Sequence, residues 1–457
     1  MSSHIDKKRL IDVAMGRKTA DLVLKNARIV NVYTHEVTDG TLAIDQGVVA
    51  GIGAYEGRTE RDMGGRYLTP GLIDSHVHIE SSLLSPEQFA RLVVPRGTTS
   101  VVVDPHEIAN VAGLDGIRYM IEAARNIPLD VYFMLPSCVP ATAFENTGAV
   151  LNAAALDELI DDPSVLGLGE VMDYPALVDG EDGLLAKIAL ATDRNKPVDG
   201  HAPMVEGRGL SAYRAAGVET DHECSTLDEM RDRLRLGMRV LIREGSAARN
   251  LSELIRGVDA NTAARCSFCT DDKDPEALLN EGHIDFNVRL AIENGLDALT
   301  AVQLATINAA EGYRLRGKGA LIPGFDADLV VVDDLRSFTV EEVYKQGRLV
   351  AQNHQPAFEV TPPDTSKVGA TVTTPRLTEE DFRLTLRDDL AVVIHFHPGS
   401  LITEKAVRKV VTDENGPSFA LNRQIQKRRI GIPLYIEHLG RPTESCSRTF
   451  ALWTDEI

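Results

Sequence analysis

Between residues 20 and 68 apolar β-branched positions alternate with polar ones, and Gly, Asp and Asn punctuate the pattern. The runs ADLVLKNARIVNV and TLAIDQGVVAGIG therefore predict short strands joined by hairpins. A matching run, PGFDADLVVVDDLRSFTVEEVYKQGRLVAQ, returns at residues 323 to 352. Two β-rich segments flanking a long insert predict one small β-sandwich-like domain, 18–68 with 321–355, built from both sides of that insert. Inside the insert, 69–320, the pattern changes to short apolar runs separated by helical ones. The runs are GLIDSH (71–76), TTSVVVD (98–104), DVYFML (130–135), VLGLGE (165–170), KPVDGH (196–201), VETDH (218–222), MRVLIR (238–243) and CSFCTDD (266–272). Helical patterns such as PEQFARLVV, LDELID and LDEMRDRLRL lie between them. Eight strands alternating with helices predict parallel pairing and an α/β fold of (β/α)8 TIM-like barrel type, for which ~250 residues is typical. A doubly wound open sheet is the alternative. Beyond residue 355, TPPDTS reads as a linker, and 370–457 is expected to hold a partial C-terminal α/β segment, an incomplete domain. Its last thirty or so residues lack clear periodicity.

Composition adds limits. A chain of 457 residues is expected to divide into two or three parts. The formal net charge of -20 argues against nucleic acid or an anionic membrane as partner and favours a small-molecule substrate. Five scattered cysteines do not read as a disulfide framework. No stretch reaches the roughly 18 apolar residues of a membrane span, and the first residues lack the apolar run of a signal peptide, so a cytoplasmic protein is expected.

The candidate chemistry lies where the strands end. His76, His78, Glu170, His201, His222 and Asp271 fall at or just past the C-terminal ends of predicted strands. In a barrel those ends open on one face, where the active sites of this fold lie. Residues i and i+2 of a strand point the same way, so His76 and His78 can both face the lumen. Four imidazoles and two carboxylates suit one or two divalent cations such as zinc, manganese or iron. Taken singly each has a plainer reading: a lone strand-end histidine is more often a satisfied polar residue, Glu170 a helix N-terminal charge, Asp271 an N-cap before DPEALL. Six such residues in register with the strands favour metal. Three competing motifs fall away. GLGEVM lacks the third glycine of a dinucleotide loop. Cys266 and Cys269, three apart on a strand, point to opposite faces, so a core role is expected. The histidine and glutamate of HIE open the zinc nucleobase deaminase signature, but no Pro-Cys-x-x-Cys follows.

PGLIDSHVHIESS resembles the first-strand signature of the amidohydrolase superfamily. More narrowly, HIESSLLSPEQFA (78–90), DPHEIANVAG (104–113), LGEVMDYP (168–175), DGHAP (199–203), AAGVETDHECST (215–226), RLGMRVLIREGSAARNL (235–251) and FCTDDKDPEALLNEGHID (268–285) are similar to the bacterial adenine deaminase family, over roughly residues 18 to 427. The resemblance implies His76 and His78 as ligands from the first strand. It makes Glu170 a bridge between two metals where many relatives use a carboxylated lysine. His201, His222 and Asp271 would complete the site, with Asp271, rather than Asp272, also carrying a proton. His106, after the second strand, is implied to polarise substrate or water. The implied reaction is hydrolytic deamination of adenine to hypoxanthine and ammonia by a metal-activated water, in purine salvage, with a binuclear centre of manganese or iron, zinc being the other option. A homo-oligomer, a dimer first, is expected by analogy. Similarity is expected to fade after ALNRQIQK (420–427), as in a truncated or frameshifted chain. The alternative functions are another amidohydrolase acting on a cyclic amide or N-acyl group, and an inactive paralogue serving as a binding module.

Overall fold

The computed structural model describes residues 5–143, 145–372 and 376, and beyond these the strand segments 390–396, 403–409, 412–413, 416–417 and 452–453. The chain divides into two compact units, Met1–Thr371 and Val372–Ile457.

In the first unit the eight predicted barrel strands are all present: Leu72–Val77, Thr98–Val103, Asp130–Leu135, Val165–Val171, Val198–Gly200, Thr220–Asp221, Arg239–Arg243 and Cys266–Cys269. Each hydrogen-bonds in parallel to the next through the fifth, and again from the sixth to the eighth. The remaining seams close by fewer contacts. Glu219 N donates to Val198 O between the fifth and sixth strands, and a parallel bridge joins Val77 to Asp271 between the first and eighth. The first two strands are buried along their whole length, as expected of parallel strands covered on both faces.

The outer helices start where the sequence places caps. Pro86–Val93 has Pro86 in its first turn, and Leu227–Arg235 opens on a capping box between Thr226 and Glu229. The helix expected from LDELID lies earlier, at Ala153–Asp157, because Asn152 caps it by accepting from Ala155 N. Asp274, accepting from Ala277 N at 2.8 Å, caps Pro275–Asn280, so Asp271 is released from the capping role weighed for it.

The β-rich segments on either side of the insert join in one nine-stranded sheet. In it Leu329–Val332 pairs antiparallel with Tyr67–Pro70, which itself pairs with Ala20–Asn31. An N-terminal helix, Lys7–Ala14, capped by Asp6, was outside the expected pattern; it packs Val13 and Leu10 against Ala20, Val23, Ala43 and Ala50 of this sheet.

In the second unit Leu390–Phe396 pairs antiparallel with Thr403–Lys409 and parallel with Leu452–Trp453. The aperiodic tail, 426–457, lies outside the described residues apart from that last strand. Among the described residues no helix is long and apolar enough to cross a membrane.

Candidate metal centre

The C-terminal ends of the barrel strands bring all six predicted ligand positions together. Three overlapping groups, His76–His78–Glu170, His76–His222–Asp271 and Glu170–His201–His222, each place their donor atoms within 4.8 Å of one another. Shared members link the three groups into one cluster.

Glu170 sits at the centre. Its Oε1 lies 3.4 Å from His78 Nε2 and 3.2 Å from His106 Nδ1, while Oε2 lies 2.7 Å from His201 Nδ1 and 3.1 Å from His222 Nε2. The two oxygens thus face two halves of the cluster. The Asp271 Oδ1 atom lies 3.1 Å from His78 Nε2 and 3.6 Å from His76 Nε2. The rings of His76 and His222 stack at 4.0 Å.

Backbone contacts hold this arrangement. The Nδ1–H of His78 donates to the Asp104 carbonyl at 2.8 Å, which leaves its Nε2 lone pair directed at the cluster. Glu170 N donates to Asp104 Oδ2 at 3.0 Å. Gly169 has to be glycine here: a Cβ at that position would stand 2.1 Å from the same Asp104 oxygen. The glycines of GLGEV thus serve close approach between strands, in keeping with the rejection of a dinucleotide loop. His201 N donates to the Tyr213 hydroxyl, and that hydroxyl donates to Val171 O, which fixes the end of the fifth strand.

The donor set fits divalent cations. Ligand atoms on a shell of about 2.1 Å stand about 3.0 Å apart in an octahedron and about 3.4 Å apart in a tetrahedron, close to the separations found here. His76 Nε2 and His78 Nε2 face each other at 3.1 Å, and the buried Nε2 of His222, turned to Glu170, has no hydrogen-bond partner. Such a set of facing ring nitrogens beside two buried carboxylates is what a cation satisfies.

The electrostatics divide the histidines. Burial, with His222 and His78 nearby, pushes His76 down to about 4, the neutral form in which imidazole ligates. For His222 burial works the other way from its neighbours; the Glu170 carboxylate 3.1 Å away and the charges of Asp271 and Glu223 raise it to about 9. Burial likewise opposes ionisation of Glu170 and Asp271, but the surrounding histidines hold both carboxyls well below their ordinary range.

His106 opens the helical segment His106–Ala123 directly after the second strand, 4.4 Å from the His78 ring. It also forms a candidate donor group with His78 and Glu107. The side chains of His106 and His201 are 17% and 23% exposed, against 1–7% for the other members, so the cluster is open on their side. Asp272, the residue passed over in favour of Asp271, is exposed, and its carboxylate takes a short contact from Ser81 Oγ. Cys266 and Cys269 are buried free thiols in the eighth strand.

Two contributors were missed from sequence. Asp104 ends the second barrel run and Arg243 the seventh, so the same strand-end rule points at both. Neither stands out alone, because the contacts that give each its role come from other strands. Arg243 contacts Asp271 and Glu223, and Glu223 Oε1 lies 3.5 Å from both His201 and His222.

A model of the amidohydrolase family matches residues 67–350. An adenine deaminase of Nitratidesulfovibrio vulgaris (strain Hildenborough) is 53% identical over 407 residues, covering 89% of this chain and 71% of that protein. One from Clostridium acetobutylicum is 51% identical over 401 residues, covering 88% and 70%. Among solved structures, the atrazine chlorohydrolase TrzN of Arthrobacter aurescens TC1, complexed with zinc, superposes with a TM-score of 0.53 at 15% identity, covering 74% of this chain and 97% of that one. A beta-aspartyl dipeptidase of Fervidobacterium islandicum AW-1 gives 0.54 at 17% identity, covering 74% and 98%. At such identities the two structures speak for the fold alone.

Proposed function

This chain belongs to the amidohydrolase family, and from that premise we propose that it is an adenine deaminase, hydrolysing adenine to hypoxanthine and ammonia. One observation carries the reading: a complete set of four imidazoles and two carboxylates converges on the catalytic face of a chain half identical to adenine deaminases along nearly nine-tenths of its length.

His76, His78, Glu170, His201, His222 and Asp271 would hold the metal, with Glu170 as the shared ligand of a binuclear site, because its two oxygens face different histidines. A donor set of imidazole and carboxylate without thiolate agrees with manganese or iron and also admits zinc. A divalent cation in this place supplies Lewis acidity, which makes water nucleophilic near neutral pH.

The chain's own residues do the rest. Asp271, kept ionised, accepts a proton from the attacking water and returns it to the departing amine at C6 of adenine. The second water proton ends on the ring nitrogen N1 of hypoxanthine, so the balance is adenine plus water to hypoxanthine plus ammonia. Burial opposes protonation of His106, but Cys138, Glu170 and Asp104 around it raise its pKa well above the ordinary imidazole value. On the open side of the cluster, this ring would donate a hydrogen bond to the purine. The nearly complete burial of His76, His78, Glu170, His222 and Asp271 keeps bulk water from the carboxylates.

The test is direct. The chain expressed with added manganese should carry metal and convert adenine with release of ammonia. No metal above background would overturn the ligand assignment. Metal without ammonia release from adenine would overturn the substrate.

A further inference from the structure

Arg243 is the last residue of the seventh barrel strand, and its side chain is only 3% exposed. Its guanidinium grips two carboxylates at once. Nη1 donates to Asp271 Oδ2 at 2.8 Å, and both Nη atoms clasp Glu223, Nη2 at 3.0 Å from Oε2. Asn250 Oδ1 accepts from Nε and Nη2 at 3.4 and 3.3 Å. Asn250 precedes the helix Leu251–Leu254, but its side chain does not cap it and is left to brace the arginine.

The segment after Arg243 closes on the loop that carries Asp271. Ser246 N donates to Asp272 O at 2.9 Å, and Ser246 Oγ accepts from Asp274 N at 2.9 Å. A Cβ on Gly245 would stand 2.6 Å from Asp272 O and 2.7 Å from Thr270 O, so the two loops touch backbone to backbone. The gripped residue is itself unusual. Asp271 has φ +58°, a left-handed conformation that costs an aspartate on the order of 1 kcal/mol and persists where neighbours enforce it. Asp271 N donates to His76 O at 2.9 Å, and His78 N donates to Asp271 O at 3.3 Å.

The carboxylate torsion of aspartate is broad, so backbone contacts alone do not fix the plane of the group. Arg243 fixes it: with one oxygen, Oδ2, held by the guanidinium, the other is turned toward His76 and His78. A planar guanidinium can serve two carboxylates at fixed angles, which an ammonium cannot.

We infer that Arg243, braced by Glu223 and Asn250, is a positioning residue that sets the orientation of the Asp271 carboxylate for proton transfer, and that the 243–250 loop is the clamp holding Asp271 in place. The inference rests on the reading of Asp271 as the proton carrier in adenine deamination.

The test uses the manganese-loaded full chain, and wild-type turnover of adenine is measured first; absence of turnover there refutes the underlying function, not the clamp. In Arg243→Lys and Arg243→Ala, bound metal and KM should stay near wild type while kcat falls by about 100-fold, the effect of roughly 1 Å of misplacement. Guanidinium at tens of millimolar should restore part of kcat to Arg243→Ala and none to Asp271→Asn. A crystal structure of Arg243→Ala should show the Asp271 carboxylate turned. Unchanged kcat, loss of metal together with kcat, or failure of guanidinium to restore Arg243→Ala would each overturn the positioning role. If both Arg243 variants fail to fold, Asn250→Leu, which removes only the brace, should lower kcat several-fold at unchanged metal content; an unchanged kcat in that variant overturns the inference.

Discussion

Replacing Gly169 by alanine tests how Asp104 ties the second strand to the fourth. The added methyl would stand 2.1 Å from Asp104 Oδ2, whereas an ordinary carbon–oxygen contact is about 3.3 Å. One of the two must therefore move by about 1 Å. Asp104 cannot yield without consequence, because the same oxygen accepts from Glu170 N and its backbone carbonyl orients His78 through Nδ1. Overpacking of this kind costs about 1–3 kcal/mol, which lowers Tm by about 1–4 °C in a unit as large as Met1–Thr371. Displacing two candidate ligands by about 1 Å should also lower kcat by about 100-fold. Gly167→Ala is the control. Its methyl would stand 2.0 Å from Pro197 O, just before the neighbouring strand Val198–Gly200 and away from Asp104. It should lose comparable stability while keeping most of its turnover per bound metal. The assay is kcat on adenine, metal per chain and thermal unfolding of both variants beside wild type. Gly169→Ala with wild-type kcat and Tm would refute the reasoning, as would equal loss of turnover in Gly167→Ala.

His76→Ala should lose bound metal, measured as metal per chain, whereas His106→Ala should retain metal and lose turnover by about 10²–10⁴-fold, the usual share of a group that moves or polarises a proton. Metal removal by a chelator should lower Tm, because a cation bound only by the folded chain adds to its stability, and restoring manganese should recover it. Lys318 lies 2.6 Å from Asp326 and 2.7 Å from Asp328 and contacts Asp130, while Lys345 contacts Asp130 and Asp328. Lys318→Met, leaving these carboxylates short of a partner, should destabilise by about 3–5 kcal/mol in chemical denaturation. Burial opposes ionisation of Asp130, but Lys345 and Lys318 bring its carboxyl down to about 2. The folded value lies below the unfolded one, so this contribution is present above about pH 4 and is lost as the pH falls through about 2. Lys318→Met should flatten that acid limb of the stability curve.

The barrel strands and most of the cluster are legible in the residue pattern, for a local reason. Buried parallel strands read as short apolar runs, and the residue ending each run is delivered to one face whatever the helices between do. His76, His78, Glu170, His201, His222 and Asp271 were therefore legible one strand at a time. The helix Lys7–Ala14 was not, because its short pattern precedes a strongly β-rich region and it is held by packing on the sheet. Nor did the local pattern say that Asp274, and not Asp271, caps the helix that follows; that depends on where the eighth strand stops. Which strand ends meet is settled by the folded chain. Barrel closure sets Val77 beside Asp271, nearly two hundred residues away, and so brings the first and last candidate ligands into one cluster. The pairing of Arg243 with Asp271 and Glu223, and the descent of Asp104 onto Gly169, likewise join residues from different strands. The period of a strand says which way a side chain points. What it touches is set by the closure and stagger of the barrel, which no single segment encodes.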